Sequence, residues 1–267
     1  MSHSIVFLKL GGSLITDKNQ PETPRFDVLA RLAGEIAHAL NTEPKLTLLI
    51  GHGSGSFGHT AALRHNTRAG AHNPEQWRGF AEVAAAAGKL NRLVEDALRA
   101  ASVPLINLRP SGSAECTDGR LHTLAVAPIL AALRNGLVPL VCGDVAIDKQ
   151  QGATIVSTED VFAFLAADLK PTRILLAGAD PGVLDRFPSG AVIPRLTPAM
   201  LASHTARVQA SQAPDVTGGM ASKVEQMFAL LRTQPALAIK IFSGNEHGNV
   251  YNHLIANSAT GTTLAKS

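Results

Sequence analysis

Ser4–Ser13 reads SIVFLKLGGS, a short apolar run that ends in a lysine, a leucine and two glycines. An apolar run of this length, rich in Ile, Val and Phe and closed by glycine, predicts a buried strand over Ser4–Leu10. The rest of the chain repeats the theme. Phe26–Leu40 (FDVLARLAGEIAHAL) carries apolar residues at helical spacing, and Lys45–Ile50 (KLTLLI) is a second strand. Further strands are predicted at Pro104–Leu108, Leu137–Cys142, Arg173–Ala177 and Ala238–Phe242. Helices are predicted at Gln76–Ala101, Ala125–Asn135, Thr158–Ala167 with Thr158 as N-cap, and Gly219–Leu231. Strand–helix alternation of this kind predicts an α/β chain, an open αβα sandwich with a mainly parallel central sheet. There is no internal repeat or low-complexity tract. Asp185–Val216 reads as an excursion from the core and Thr16–Pro24 as a mobile polar loop.

Composition agrees with that architecture and excludes others. The 267 residues are 45% apolar but only 4% aromatic, so the interior is built from Ala, Leu, Val and Ile. With 24 basic against 21 acidic residues the net charge is +3, too mild and too scattered for a nucleic-acid surface. The two cysteines, Cys116 and Cys142, form no C-x-x-C pair and suit a reducing cytoplasm. No stretch approaches the roughly 20 apolar residues needed to cross a bilayer, and MSHSIVFLKL lacks the features of a signal peptide. A soluble, cytoplasmic chain without membrane partners is expected.

Open parallel sheets bind ligands at the carboxyl ends of their strands, and the glycine-rich turns fall there. In Lys9-Leu10-Gly11-Gly12-Ser13 the glycines allow backbone N–H groups to approach an anion. A lysine at an apolar strand end is costly unless it meets a partner, which favours a functional Lys9 over a solvated one. The second turn, Gly51–His59 (GHGSGSFGH), contains G-x-G-x-x-G at Gly53, Gly55 and Gly58. A dinucleotide site needs a second strand with an acid about 20 residues on, and Arg68–Trp77 is polar and not strand-like. A phosphate cradle survives that test and a nicotinamide site does not. His59 closes the turn where an anion would sit. The spacing of His52, His59, His65 and His72 matches no zinc pattern, so no protein-held metal is expected.

The third turn, Asp215–Lys223 (DVTGGMASK), leads two glycines into a helix whose N-terminus suits nucleotide phosphate, with Lys223 one turn inside. Neither a Walker A motif nor G-x-S-x-G occurs, which removes P-loop enzymes and the usual α/β-hydrolases. Among the carboxylates, Asp160 in Ser157-Thr158-Glu159-Asp160 either caps a helix or holds lysines in place. Asp144 and Asp148 are similarly ambiguous, and Asp180 in the turn Ala179–Gly182 is placed to face a nucleotide.

In order and over nearly the whole chain, these turns resemble the amino acid kinase superfamily. The ending Ser56-Phe57-Gly58-His59 is similar to that of isopentenyl phosphate kinases and the related fosfomycin kinases. Gly79-Phe80-Ala81-Glu82, Lys89-Leu90-Asn91, Gly143-Asp144-Val145 and Asp215–Lys223 resemble the isopentenyl phosphate kinase pattern too. The resemblance implies one amino acid kinase-like domain over 1–267, with an acceptor-binding part at about 1–150 and a nucleotide-binding part at about 151–267. It implies ATP and Mg²⁺, a small phosphate substrate and a homodimer. Lys9, Gly11, Gly12, Ser13, Gly55, Asp180, Gly219 and Lys223 would bind ATP. Lys18 would stabilise the transition state, and Asp160 would organise the lysines. Ser54, Gly55, His59 and Gly152 would hold the acceptor phosphate. Two departures stand out: Ser54 where a third glycine is usual, and Gly51 where a branched apolar residue is usual.

The implied reaction is phosphoryl transfer to a phosphate, in which two mutually repelling anions meet in line and catalysis is mainly positioning and charge neutralisation. An isopentenyl tail would need an apolar pocket, for which Phe80, Val83, Ile147 and Ile155 are candidates. Rival readings are a kinase of a phosphonate such as fosfomycin, or a non-catalytic nucleotide-binding regulatory module. All of this requires Lys9, His59 and Lys223 to share one cleft.

Overall fold

A computed structural model describes residues 4–186, 189–202, 219–255 and 258–266; the side chains of His59 and Ala221 lie outside the description. Its centre is an eight-stranded sheet. The first strand, β1 (Ile5–Leu10), lies between β2 (Thr47–His52) and β9 (Arg173–Gly178), parallel to both. Beyond β2 come β6 (Val138–Cys142) and β3 (Leu105–Asn107), also parallel. Beyond β9 lies parallel β11 (Ala238–Ser243), then antiparallel β12 (Thr262–Leu264) and the two-residue β10 (Arg195–Leu196). Part of the expected excursion thus lies at the sheet edge as β10.

Side-chain alternation along the strands divides the core into two layers, because successive residues point to opposite faces. Val6, Leu8 and Leu10 pack with α2 (Phe26–Thr42), α4 (Pro74–Ala100) and α8 (Asn249–Ile255). Phe7 packs on the other face with α6 (Thr158–Leu169), alongside residues of α5 (Val126–Arg134) and α7 (Gly219–Thr233). The Phe7 and Phe162 rings lie 5.0 Å apart. By the same alternation Lys9 projects toward α6, and this fixes which carboxylate it meets.

The sequence reading finds the central strands and long helices within a few residues but misses a second sheet. It has four strands, β4 (Glu115–Thr117), β5 (Arg120–Thr123), β7 (Asp144–Asp148) and β8 (Gly152–Val156), in the order β5-β4-β7-β8. These strands are short, and β7 follows β6 after Gly143 alone, so no turn signal separates them. The glycine-rich second turn is also shorter than expected. Helix α3 (Gly55–His65) begins inside it, despite glycines that depress helix propensity. At the start of α6 the N-cap is Ser157, not Thr158. The Thr158 hydroxyl instead donates to the His52 carbonyl at 2.7 Å, tying α6 to the end of β2.

Candidate active site

The carboxyl ends of β1, β2, β6 and β9 open on a cleft of about 360 Å³. Lys9, Lys18 and Lys223 all line it, as do Gly11, Gly12, Ser13, Ser54, Gly55 and Asp180. Three lysines from a strand end, a loop and a helix therefore face one space. Gly219 begins α7, one turn before Lys223. The expected residues Asp215–Gly218 lie outside the described residues, and so does the side chain of His59, whose backbone lies in α3.

Lys9 is only 7% exposed. It forms an ion pair and a hydrogen bond with Glu159, itself buried, at the start of α6. Burial alone would push the Glu159 carboxyl up. The ammonium charges of Lys9 and Lys223, with the hydrogen bond from Lys9, outweigh it and hold the group below the usual carboxylate range. Asp160, the expected organiser of the lysines, has other partners. Its carboxylate accepts from the Ser157 N–H at 2.8 Å and the Ser157 hydroxyl at 2.7 Å, and from Gln226 Nε2 at 2.5 Å. Asp160 is thus the N3 member of a capping box, and Lys9 pairs with its neighbour Glu159. The signal was present in Ser157-Thr158-Glu159-Asp160, since a serine followed three residues on by an acid marks a capping box and leaves Glu159 unassigned.

The glycines of the first two turns are explained by backbone touching backbone. A Cβ on Gly12 would meet Gly55 N at 2.4 Å, and one on Gly53 would meet Gly12 N at 2.8 Å. The turns after β1 and β2 therefore form one surface whose peptide groups border the cleft. Ser54 needs no glycine, because its φ of −78° is ordinary. Gly51 faces α6, where a Cβ would lie 2.6 Å from both Phe162 Cε1 and Thr158 Cγ2. A branched residue there has no room.

Beneath the second turn, His52 is buried and neutral. Its Nδ1–H donates to the Gly53 carbonyl at 3.0 Å, and Nε2 accepts from Asn91 Nδ2 at 3.0 Å. Burial lowers its pKa to about 4. Asn91 accepts in turn from Asn107, which donates to Glu95 at 2.8 Å. Asp144, at the cleft wall, is held by Arg109 Nη2 at 2.8 Å and Nε at 3.1 Å. It is a structural anion there, and Asp148 likewise accepts from the turn N–H groups of Gly119 and Gln150.

The end of the cleft toward α3, α4 and β8 is apolar: Ala62, Leu63, Val83, Ala87 and Ile155 line it. Of the four candidates for an apolar pocket, Val83 and Ile155 belong to that wall. Phe80 packs against the small core behind it, and Ile147 is 48% exposed on β7 and does not line the cleft. Gly152 is not in the wall either. It opens β8 at a φ of +79°, where a Cβ would meet the Ala71 carbonyl at 2.2 Å.

Comparison with known proteins gives a consistent picture. A model of the amino acid kinase family matches residues 4–242. The isopentenyl phosphate kinase of Haloferax volcanii is 39% identical over 228 residues, 85% of this chain and 88% of that protein. That of Methanocaldococcus jannaschii is 32% identical over 260 residues, covering 94% and 95%. A crystal structure of isopentenyl phosphate kinase aligns with a TM-score of 0.82 at 28% identity, covering 98% of this chain and 100% of that one.

Proposed function

Since this chain belongs to the amino acid kinase family, we propose that it transfers the γ-phosphoryl group of ATP to isopentenyl phosphate, giving isopentenyl diphosphate and ADP. The observation that carries the reading is the cleft itself, with three lysines and two touching glycine turns in its middle and an apolar wall at one end. Charged groups there suit two phosphates, and the wall suits a short hydrocarbon tail. That wall favours isopentenyl phosphate over a compact polar phosphonate.

In this mechanism Lys9, Lys18 and Lys223 spread the negative charge that grows on the transferring group. Glu159 keeps Lys9 charged and aimed. Gly11, Gly12 and Ser13 bind the nucleotide phosphates with Gly55, Asp180 and Gly219. Ser54, Gly55 and His59 hold the acceptor. The acceptor is already largely ionised near neutral pH, so its oxygen attacks without a general base. Among the described residues no cluster of three or more His, Cys, Asp or Glu side chains is placed to hold a metal. Mg²⁺ would come with the triphosphate and would neutralise phosphate charge there. The part at about 1–150 supplies Ser54 and His59 for the acceptor and the glycine turns over which the two phosphates meet, and the part after about 150 supplies Asp180, Gly219 and Lys223 for the nucleotide. By analogy with the family, the enzyme is cytoplasmic and homodimeric. No described helix is long and apolar enough to cross a membrane.

Coupled ADP release with isopentenyl phosphate, dimethylallyl phosphate and fosfomycin offered side by side tests the proposal. Isopentenyl phosphate is expected to be turned over best, and His59→Ala to lose about 10²-fold in kcat/KM, the scale of one lost transition-state contact. No acceleration by any acceptor removes the activity. Wild-type rates in the variant remove His59 from the site.

A further inference from the structure

We infer that Thr16 is a positioning residue for Lys18: its one hydroxyl joins both glycine turns to the loop that carries that lysine. The inference rests on the phosphotransfer reading, in which Lys18 acts on the transferring group.

Thr16 is 1% exposed. Its Oγ1 donates to the Gly12 carbonyl at 2.8 Å and accepts from the Ser56 N–H at 3.0 Å. One buried hydroxyl therefore spans the turn after β1 and the start of α3. It also fills the room that a side chain at Gly55 would need, since a Cβ there would lie 2.3 Å from Thr16 Oγ1. Ser56 then grips the far side of the same loop. Its carbonyl accepts from the Glu22 N–H and its hydroxyl from the Thr23 N–H, both at 3.3 Å. Thr16 and Pro24 pair as a bridge that closes the loop, and the Asp17 N–H donates to the Thr23 carbonyl at 2.9 Å. Lys18 stands two residues beyond Thr16, inside this closed loop, and lines the cleft.

Another tether for the loop is weaker. Glu22 pairs with Lys89 at 2.7 Å, but both side chains are well exposed, and exposed ion pairs hold little. A buried hydroxyl that uses donor and acceptor together fixes direction as well as distance. The chemistry is specific: Ser can replace it, and Val, of the same shape, cannot.

A double-mutant cycle on the full chain decides the matter. Thr16→Val is expected to lower kcat about tenfold, with the nucleotide KM changed by less than about threefold, because the loss falls on the transition state. Thr16→Ser is expected to restore most of the rate. In a Lys18→Ala background, Thr16→Val is expected to cost less than about twofold, because there is no lysine left to place. A tenfold loss repeated on top of Lys18→Ala, or a serine variant as slow as the valine one, overturns the role of Thr16. If Thr16→Val does not fold, Ser56→Ala, which removes only the hydroxyl bond to Thr23, is put through the same cycle with the same expectation. A wild-type chain inactive with every phosphate acceptor overturns the activity itself, and this inference with it. An active wild type with a multiplicative cycle overturns this inference alone.

Discussion

Burying a lysine ammonium costs several kcal/mol unless a partner charge meets it in good geometry. Lys9 has such a partner in Glu159. Glu159→Gln keeps the shape and removes the carboxylate charge that pairs with the buried Lys9 ammonium. The expected loss of stability is about 3–5 kcal/mol, read from urea unfolding at neutral pH. Asp160→Asn weakens only a helix cap and its bond to Gln226, for an expected loss of about 1 kcal/mol. Equal losses in the two variants would show that the adjacent carboxylates have been assigned to the wrong tasks.

Each element reaches the cleft through a contact that its own sequence does not announce. Helix α6 closes on β2 because Gly51 leaves room for the Phe162 ring and the Thr158 methyl. Gly51→Val would force that ring aside, and overpacking of this kind costs about 1–3 kcal/mol. The thermal midpoint should fall by several degrees, and Phe162→Leu in the same chain should recover part of it. A Gly51→Val variant that melts with the wild type would refute this packing argument. At the other end of the sheet, Arg173 donates to the His253 and Leu254 carbonyls at 2.9 and 2.8 Å. It thereby satisfies carbonyl groups at the end of α8 that have no partner within the helix.

For the molecule as a whole, the buried histidine beneath the second turn sets a dependence on acid. The pKa of His52 falls from 6.5 to about 4 on burial. Between those values the unfolded chain binds a proton that the folded chain refuses. Stability is therefore full above pH 6.5 and declines as pH falls toward 4, by roughly 3 kcal/mol from this one group. His253, also lowered to about 4 mainly by burial, acts in the same direction by a similar amount. Glu159, whose pKa is depressed, adds a further loss below its ordinary value of 4.5. Urea midpoints measured from pH 7.5 to 4.5 should fall steadily below 6.5, and His52→Gln should flatten that slope by roughly half, His253 supplying the rest. An unchanged slope in the variant would place the proton uptake elsewhere.

The layered α/β architecture, the strands at whose ends the glycines sit, and the lysines that line the cleft were legible in the sequence. Each of those signals is local: a run of apolar residues, a helical period, a glycine before a helix. Lys9 was legible because a charge at an apolar, glycine-closed strand end has few other uses, Lys223 because two glycines lead into its helix, and Lys18 only through the family resemblance. The partner of Lys9 was not, because choosing between Glu159 and Asp160 requires knowing which face of β1 the lysine occupies and which residue caps α6. The second sheet escaped for a related reason: its short strands are held by partners far along the chain. Thr16 and Ser56 looked like ordinary loop residues, since a hydroxyl reveals its two partners only when two distant turns have been brought within about 3 Å of it. Local pattern set the elements, and long-range packing decided which atoms meet.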